Sequence, residues 1–281
     1  MLKSITKKLE IQMLYGQVGY ATLEAQTATN TIQIPDSQWA PGIWGGAEGM
    51  PIEQRTSAGT LVKSMKVISV SFENRTITVD GTATAVSAND VLWHKSAYGN
   101  EFAGIHKIIS NTSTIFGIDA SQYALFKGNQ YDVNNSALSF GKVQEAISKA
   151  VEKGLETSVK LIINPDVWAD LMTDQAALRK YDQSYSSKEL ENGANGLKFH
   201  SQNGEVEIVP SIHCKRGFAY IVSLDEMVRI GSTDVTFNRP GAEGQFFKDL
   251  ENSAGYEMRC YADFALFCYR PSVNVLLFNI A

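Results

Sequence analysis

The spacing of apolar residues changes along this chain after residue 20, and the pattern limits the folds that it can adopt. From residue 21 to about residue 95, apolar and polar residues alternate with a period of two, which is typical of strands with one buried face. Near residue 138 the period becomes 3.6, and helix and strand patterns then follow one another. The sequence therefore predicts an α+β chain, with a β-rich module at residues 21–97 joined to an α/β unit.

An amphipathic helix is predicted over residues 1–15, before the β-rich module. Its apolar residues recur every three or four positions, and Gly16 ends it where a positive φ is favourable. The predicted buried face consists of Leu2, Ile5, Leu9 and Met13.

A hairpin is the clearest signal within the β-rich module. Residues 66–72 and 76–79 both alternate and are separated by a gap of turn length. Between residues 34 and 67 lies a stretch rich in proline and glycine, which is typical of a loop. Because it contains Trp39 and Trp44, we expect this loop to pack against the rest of the protein.

The α/β unit is predicted to contain two main helices. Ser139 caps the first, at about 140–153, and Asn164-Pro165 opens the second, which extends to about residue 178. A buried strand at 159–163 lies between them. Further strands are predicted at 206–209, 218–222 and 235–237, and residues 256–280 are almost entirely strand, with a break at Pro271.

Composition excludes several classes of protein. The length of 281 residues corresponds to about two domains, and a hydrophobic content of 44% excludes a disordered chain. A net charge of −5 argues against nucleic-acid binding through a basic face. The sequence has no apolar run of the length that a membrane span requires, and the first ten residues do not have the apolar core of a signal peptide. The cysteines are predicted to be free thiols: Cys214, Cys260 and Cys268.

The sequence predicts neither catalytic residues nor a cofactor or metal site. It has no GxxxxGK[ST], GxGxxG or GxSxG motif. The four histidines (His94, His106, His200 and His213) are not spaced for a shared metal, and each is expected to be a surface or interface residue. The carboxylate pairs are expected to lie on solvated faces: Glu189 with Glu191, and Glu205 with Glu207. We therefore predict that the protein is not an enzyme.

One segment is a candidate contact between subunits. Residues 178–187 are polar and aromatic and contain no glycine, which is typical of a helix end that runs into an exposed loop. The residues that we expect to contact a neighbouring subunit are Arg179, Lys180, Tyr181 and Tyr185.

Several short runs, in the same order along the chain, resemble the major capsid proteins of tailed bacteriophages and prophages, which have the Hong Kong 97 fold. These are residues 10–17, 98–105 and 162–171, the last being a strand that enters a helix through Asn164-Pro165 and is followed by Trp168. The run at 256–261, followed by Tyr269-Arg270-Pro271, also matches. Each run is short, and together they span nearly the whole chain.

The resemblance implies a Hong Kong 97-type fold that has an axial α/β domain, peripheral β-strands and a spine helix. On this basis, residues 1–20 are the end of the spine helix, and residues 21–97 are an inserted β-rich domain. Residues 98–255 form the axial α/β domain, and residues 256–281 are returning strands of the peripheral domain.

The resemblance also implies a function and partners. The expected function is a structural head protein that assembles into pentamers and hexamers of an icosahedral shell around the viral DNA. The expected partners are other copies of the chain, double-stranded DNA bound non-specifically, and scaffold, portal or decoration proteins, with no membrane. The expected location is the virion capsid, with the host cytoplasm before assembly. Alternatives are an encapsulin-like shell, another phage structural protein, or a hydrolase with an unrecognised site.

In the family, an N-terminal arm and an extended loop precede the spine helix. Here the sequence starts at the helix, so we expect a longer parent protein to form the closed shells. The remaining contacts around the ring centre are small, and interfaces below about 1,000 Å² are weak. We therefore expect this chain alone to be a monomer or a weak small oligomer in dilute solution.

Overall fold

The computed structural model describes residues 2–81, 84–173, 197–202, 204–238, 241, 244 and 246–281. The chain is mixed α/β, as the sequence predicts. In this described part, no helix is long and apolar enough to cross a membrane. Its α-helices are α1 (Leu2–Tyr15), α2 (Pro41–Trp44), α3 (Ile105–Ser110), α4 (Phe140–Val151) and α5 (Pro165–Thr173).

Helix α1 has the predicted bounds, but it buries a different set of residues. Ile11, Leu14 and Tyr15 are buried, whereas the predicted face is exposed at Leu2 and half-buried elsewhere. The difference arises because the helix is buried only near its C-terminal end, and upstream of Ile11 it contacts the body mainly through the polar residues Lys7 and Glu10. Next to the last turn, Gly16 approaches the backbone so closely that a Cβ atom would lie 2.2 Å from the carbonyl oxygen of Phe102.

A six-stranded antiparallel sheet forms the core of the β-rich region. Its order is β1-β8-β4-β5-β6-β3, and the predicted hairpin is its β5–β6 pair, with Val70 opposite Ile77. A separate pair, β2 with β7, lies beside it. The strands are β1 (Ala21–Thr22), β2 (Gln26–Thr29), β3 (Thr31–Gln33), β4 (Pro51–Arg55), β5 (Leu61–Ser71), β6 (Thr76–Val79), β7 (Thr84–Val86) and β8 (Val91–His94).

The loop rich in proline and glycine packs into the core, as predicted. Trp39 and Trp44 are buried, and their rings stack with centroids 6.4 Å apart. They belong to one hydrophobic core that also holds the last turn of α1 and several strand residues, so the loop is a structural part of the β-rich region.

A second, mixed six-stranded sheet carries helices α4 and α5. Its order is β11-β20-β15-β12-β14-β13; β11 pairs with β20 and β12 with β14 in parallel, and the other pairs are antiparallel. A short pair of strands, β9 with β10, precedes it. The strands are β9 (Thr114–Ile115), β10 (Ile118–Asp119), β11 (Asn129–Ser136), β12 (Val159–Ile163), β13 (Leu197–Ser201), β14 (Gly204–Pro210), β15 (Phe218–Val222) and β20 (Val275–Ile280).

The two main helices begin at the predicted residues. The hydroxyl of Ser139 accepts a hydrogen bond from the backbone N–H of Lys142 and caps α4. Asn164 precedes α5, and its Oδ1 accepts from the N–H of Asp166. The predicted end of the second helix, beyond residue 173, lies outside the described residues.

The strands of residues 256–281 divide between three sheets. Strands β18 (Tyr256–Met258) and β19 (Tyr261–Cys268) pair with β17 (Phe247–Asp249) and β16 (Met227–Thr236), respectively. After the turn at Pro271, β20 instead enters the mixed sheet between β11 and β15. The division into domains at residues 20, 97 and 255 stays a prediction.

Two of the histidines are enclosed by the protein, contrary to expectation. His213 is buried and contacts Glu10, with 2.7 Å between Nε2 and Oε2. The ring of His106 packs against Tyr15, Phe218 and Tyr220. Both positions became enclosed because elements distant in sequence, α1 and β15, pack over them. The three cysteines are free thiols, as predicted, and two of them are buried.

Candidate assembly surface

The feature most suited to bind another protein is a two-stranded ribbon that consists of β16, β17, β18 and β19. We call this ribbon the arm; it is a different element from the N-terminal arm of the capsid family. At its base, Met227 lies opposite Cys268, and the β16–β19 pair extends to Thr236 opposite Tyr261. Strands β17 and β18 continue the ribbon, with Phe247 opposite Met258. At about 3.3 Å per residue, the ten residues of β16 alone span about 33 Å.

The arm has little cover beyond its base. Among the described residues of β16, β17 and β18 none is buried, and in β19 only Cys268, at the base, is buried. Successive side chains of a strand point to opposite faces, and along β16, β17 and β18 they are exposed or half-exposed on both faces, whereas the ring of Phe264 in β19 packs against Phe102, with centroids 6.3 Å apart. An isolated two-stranded ribbon is marginally stable in water, so a partner that covered the outer part of this one would stabilise it.

Large apolar side chains are exposed along the arm and at its tip. Ile230 is 52% exposed, Phe247 62% and Tyr256 75%. Phe246, Leu250 and Met258 are also exposed. A cluster of exposed apolar residues on one protruding element is typical of a protein–protein contact.

The apolar surface continues onto the body at the base of the arm. The ring of Phe116 lies 4.9 Å from that of Phe267, which in turn lies 5.3 Å from Tyr269. Arg270 pairs with Glu226 beside these rings, and this hydrogen bond raises the pKa of the guanidinium. The base therefore combines aromatic area with a polar rim, as interfaces do.

Charges of both signs border the tip. A shallow groove of about 360 Å³ there is lined by Lys248, Asp249, Glu251, Glu257 and Arg259, among others. The hydrogen bond from Arg259 to Glu257 holds the pKa of that carboxyl below its usual range. The groove contains neither histidine nor cysteine and is open, so its chemistry suits polar contact with another surface better than catalysis.

One glycine allows the two strands of the arm to pair. The register shifts between Gly231 and Thr233, and a Cβ atom on Gly231 would lie 2.0 Å from the carbonyl oxygen of Asp263. A residue with a side chain at this position would push the strands apart. The hydroxyl of Ser232 donates to the carboxylate of Asp263 across the same point, at 2.7 Å.

The predicted contact residues lie elsewhere in the chain. Arg179, Lys180, Tyr181 and Tyr185 lie outside the described residues, as do Glu189 and Glu191. Glu207 lies on β14 and pairs with Lys160 at 3.0 Å, both half-exposed, consistent with a solvated face. Among the described residues, no group of three or more His, Cys, Asp or Glu side chains could hold a metal ion.

Sequence reasoning predicted strands in this region but missed the arm. The available signal was the run from Phe264 to Cys268, in which neighbouring residues are apolar, so that both faces of one strand carry apolar side chains. Such a run usually indicates a strand buried on both faces. That most of this run is only half-buried depends on where the chain turns back, and this is a tertiary property.

Comparison with known proteins gives similarity in structure but not in sequence. No family model matches the chain, and no curated protein matches it. The capsid of Cyanophage A-1(L) is similar over 66% of this chain and 62% of that chain, with 11% identity and a TM-score of 0.47. Two further similar structures are also of shells. The virus-like particle of Pyrococcus furiosus is similar over 49% of both chains (15% identity, TM-score 0.29), and the SrpI encapsulin of Synechococcus elongatus PCC 7942 over 58% of both (11% identity, TM-score 0.33).

The similarity is partial in each case. The chain matches less than two thirds of the length of each of these three proteins, and every TM-score is below 0.5. No enzyme family is indicated by any of the comparisons.

Proposed function

We propose that this protein is a subunit of a self-assembling protein shell and, more specifically, the major capsid protein of a tailed phage or prophage. The observation that carries the proposal is the arm, which has no buried residue in β16, β17 or β18 and exposes Ile230, Phe247 and Tyr256. A shell subunit needs broad contacts with copies of itself, and heterologous contacts that close into rings supply them. The family resemblance of the sequence supports the same function.

In this function, the arm of one subunit lies on the body of the next. This contact would bury the exposed apolar side chains at the tip of the arm. It would also cover the outer part of the arm, which the rest of its own subunit leaves exposed. Pentamers and hexamers formed in this way would enclose double-stranded DNA, bound non-specifically, in a virion capsid. Scaffold, portal or decoration proteins would bind to the assembled shell, and the host cytoplasm would be the place of assembly.

Two substitutions of matched chemistry test whether the arm drives self-association. Ile230→Ser, on the arm, should weaken association at least about tenfold, because it removes apolar area from the contact. Ile68→Ser changes an isoleucine of β5 that is similarly exposed, 56% against 52%, and should have little effect. Sedimentation velocity across a concentration series measures both variants against the unmodified chain.

The outcomes separate the proposal from its alternatives. Association that grows with concentration and is weakened by Ile230→Ser alone supports a shell subunit. Monomer in dilute solution is compatible with weak contacts, but about 100 μM fills interfaces of micromolar Kd, so a chain that is still monomeric at that concentration contradicts the proposal.

The contents of assembled particles distinguish a phage head from an encapsulin-like shell. Electron microscopy of particles formed by the protein in its native context, followed by nuclease treatment, shows what they enclose. Nuclease-protected DNA supports the head protein, whereas an enclosed protein cargo contradicts it and favours the encapsulin-like alternative.

A further inference from the structure

Lys215 is a buried lysine at the junction between the two six-stranded sheets. It is 2% exposed and lies in the loop of residues 211–217, between β14 and β15. Backbone hydrogen bonds join this loop to the β-rich region: Gly42 N–H to Ile212 O, Arg216 N–H to Trp39 O, and Gly217 N–H to Ser37 O. The lysine is therefore part of the contact that holds the two regions together.

The amine of Lys215 has two hydrogen-bond acceptors and no carboxylate. Its Nζ lies 3.1 Å from Oε1 of Gln38 and 3.3 Å from the carbonyl oxygen of Gly19. Two acceptors match the two N–H groups of a neutral amine. The third proton of the charged form faces the ring of Tyr15, 4.3 Å away, and this attraction replaces only part of the hydration that the ammonium loses.

The titratable groups around the amine do not neutralise its charge. From α1, Tyr15 accepts a hydrogen bond from the backbone N–H of Lys215 and is hydrogen-bonded to Tyr220 of β15. His106 of α3 contacts the hydroxyl of Tyr220 at 2.9 Å. Cys214 is the neighbouring residue in the loop. The surrounding carboxylates are engaged elsewhere: Asp36 with Arg75 and Arg216, Glu10 with His213, and Glu101 with the backbone N–H of Gln17.

We propose that Lys215 makes the junction between the β-rich region and the mixed sheet sensitive to protons: the neutral amine holds the 211–217 loop in place, and protonation opens it. The proposal rests on the geometry of a completely enclosed amine that has no counter-charge, at the one loop that carries the three junction hydrogen bonds named above. It does not depend on the proposed shell function.

The direction of the effect follows from linkage. Burial lowers the pKa of Lys215 to about 7, from 10.5 when the loop is open. Above pH 7, the open state therefore binds more protons than the closed state, and the closed state gains stability as the pH rises. Burial raises the pKa of Cys214, which lies in the loop itself, to about 12, so this thiol reverses the trend once an exposed cysteine ionises, near pH 9. The effect of Lys215 on the stability of the closed loop is therefore best measured between about pH 7 and pH 8.5.

Hydrogen exchange measures this opening in the intact chain. The reporters are the amides of Gly42, Arg216 and Gly217, whose hydrogen bonds cross the junction. Their protection factors, corrected for the intrinsic pH dependence of exchange, should rise about tenfold between pH 7 and pH 8.5. Exchange is followed at a concentration at which the chain is monomeric, so that assembly does not contribute.

Three variants decide the outcome. Lys215→Met should abolish the rise, whereas Lys160→Met, which removes a half-exposed lysine paired with Glu207, should leave it unchanged. Gln38→Glu places a counter-charge beside the amine, so the protection of the three amides should be high and independent of pH from pH 7 upward. This variant keeps the test valid even if Lys215→Met does not fold. A flat profile in the unmodified chain, or the same tenfold rise in Lys215→Met or in Gln38→Glu, overturns the proposal.

Discussion

At the scale of single residues, the structure depends on buried polar side chains that join distant segments. Asn164 is fully buried, and its Nδ2 donates to the carbonyl oxygen of Cys214 at 2.7 Å while its Oδ1 accepts from the N–H of Asp166. One side chain thus begins α5 and fixes the 211–217 loop. Without this donor, the carbonyl oxygen of Cys214 would be buried with no hydrogen bond to replace its contacts with water, and the protein would lose stability.

Asn164→Ala is therefore expected to destabilise the protein by about 2–3 kcal/mol, the sum of a helix cap and a buried hydrogen bond. Urea unfolding followed by circular dichroism measures the loss. Ser139→Ala removes a cap that makes one hydrogen bond and should cost only about 1 kcal/mol. Equal losses in the two variants would show that the bond to Cys214 contributes nothing.

At the scale of elements, the arm meets the hydrophobic cores only near its base, through Cys268, Met227 and Leu266. Farther out, the ribbon is held by its own ladder, by the ring contact of Phe264 with Phe102 and by pairs such as Arg229 with Asp234. Exposed ion pairs stabilise little. The arm is thus expected to be the least stable element until a partner covers it.

Gly231→Ala should separate the arm strands, because the added Cβ would meet the carbonyl oxygen of Asp263 at 2.0 Å. We expect loss of amide protection throughout β16 and β19 with little change in the global unfolding midpoint, measured by hydrogen exchange and by circular dichroism.

Gly141→Ala is the matched control, since Gly141 lies in α4 and has only one atom, the Ser139 hydroxyl, within ordinary contact distance. It should stabilise the protein by about 0.5–1 kcal/mol through helix propensity and leave the arm unchanged. Unchanged protection of the arm in Gly231→Ala would contradict the close approach of its strands.

At the scale of the whole molecule, two hydrophobic cores share the strands β15 and β20. Tyr220 and Leu276 belong to the core with α1 and the β-rich region, whereas their neighbours in the same strands belong to the core beneath α4 and α5, among them Ala219, Ile221, Val275 and Leu277. The mixed sheet is therefore packed on both faces, which couples the two regions.

This coupling predicts a single unfolding transition. In Trp168→Phe, the remaining tryptophans (Trp39, Trp44 and Trp93) all lie within residues 21–97, so fluorescence reports on that region alone. Its urea midpoint should coincide with the midpoint from far-ultraviolet circular dichroism. Two separate transitions would mean that the β-rich region folds independently.

The sequence by itself determined the local structure and the order of the elements. Periods of two and 3.6 located the β5–β6 hairpin and helices α1 and α4, and Ser139 and Asn164-Pro165 marked helix starts, because capping and proline geometry act within a few residues. Paired tryptophans in a glycine-rich loop were enough to predict that the loop is packed.

Only the tertiary structure decided which surfaces are covered. Burial of His213 and Lys215 depends on contacts between segments that are far apart in sequence, such as Tyr15 and Lys215. The face that α1 presents to the core and the small cover on the outer part of the arm have the same origin. Periodicity shows that a strand has apolar residues, but not what lies against them. The run from Phe264 to Cys268 satisfies the same local pattern as a strand buried on both faces, and only the path of the chain leaves most of it half-exposed.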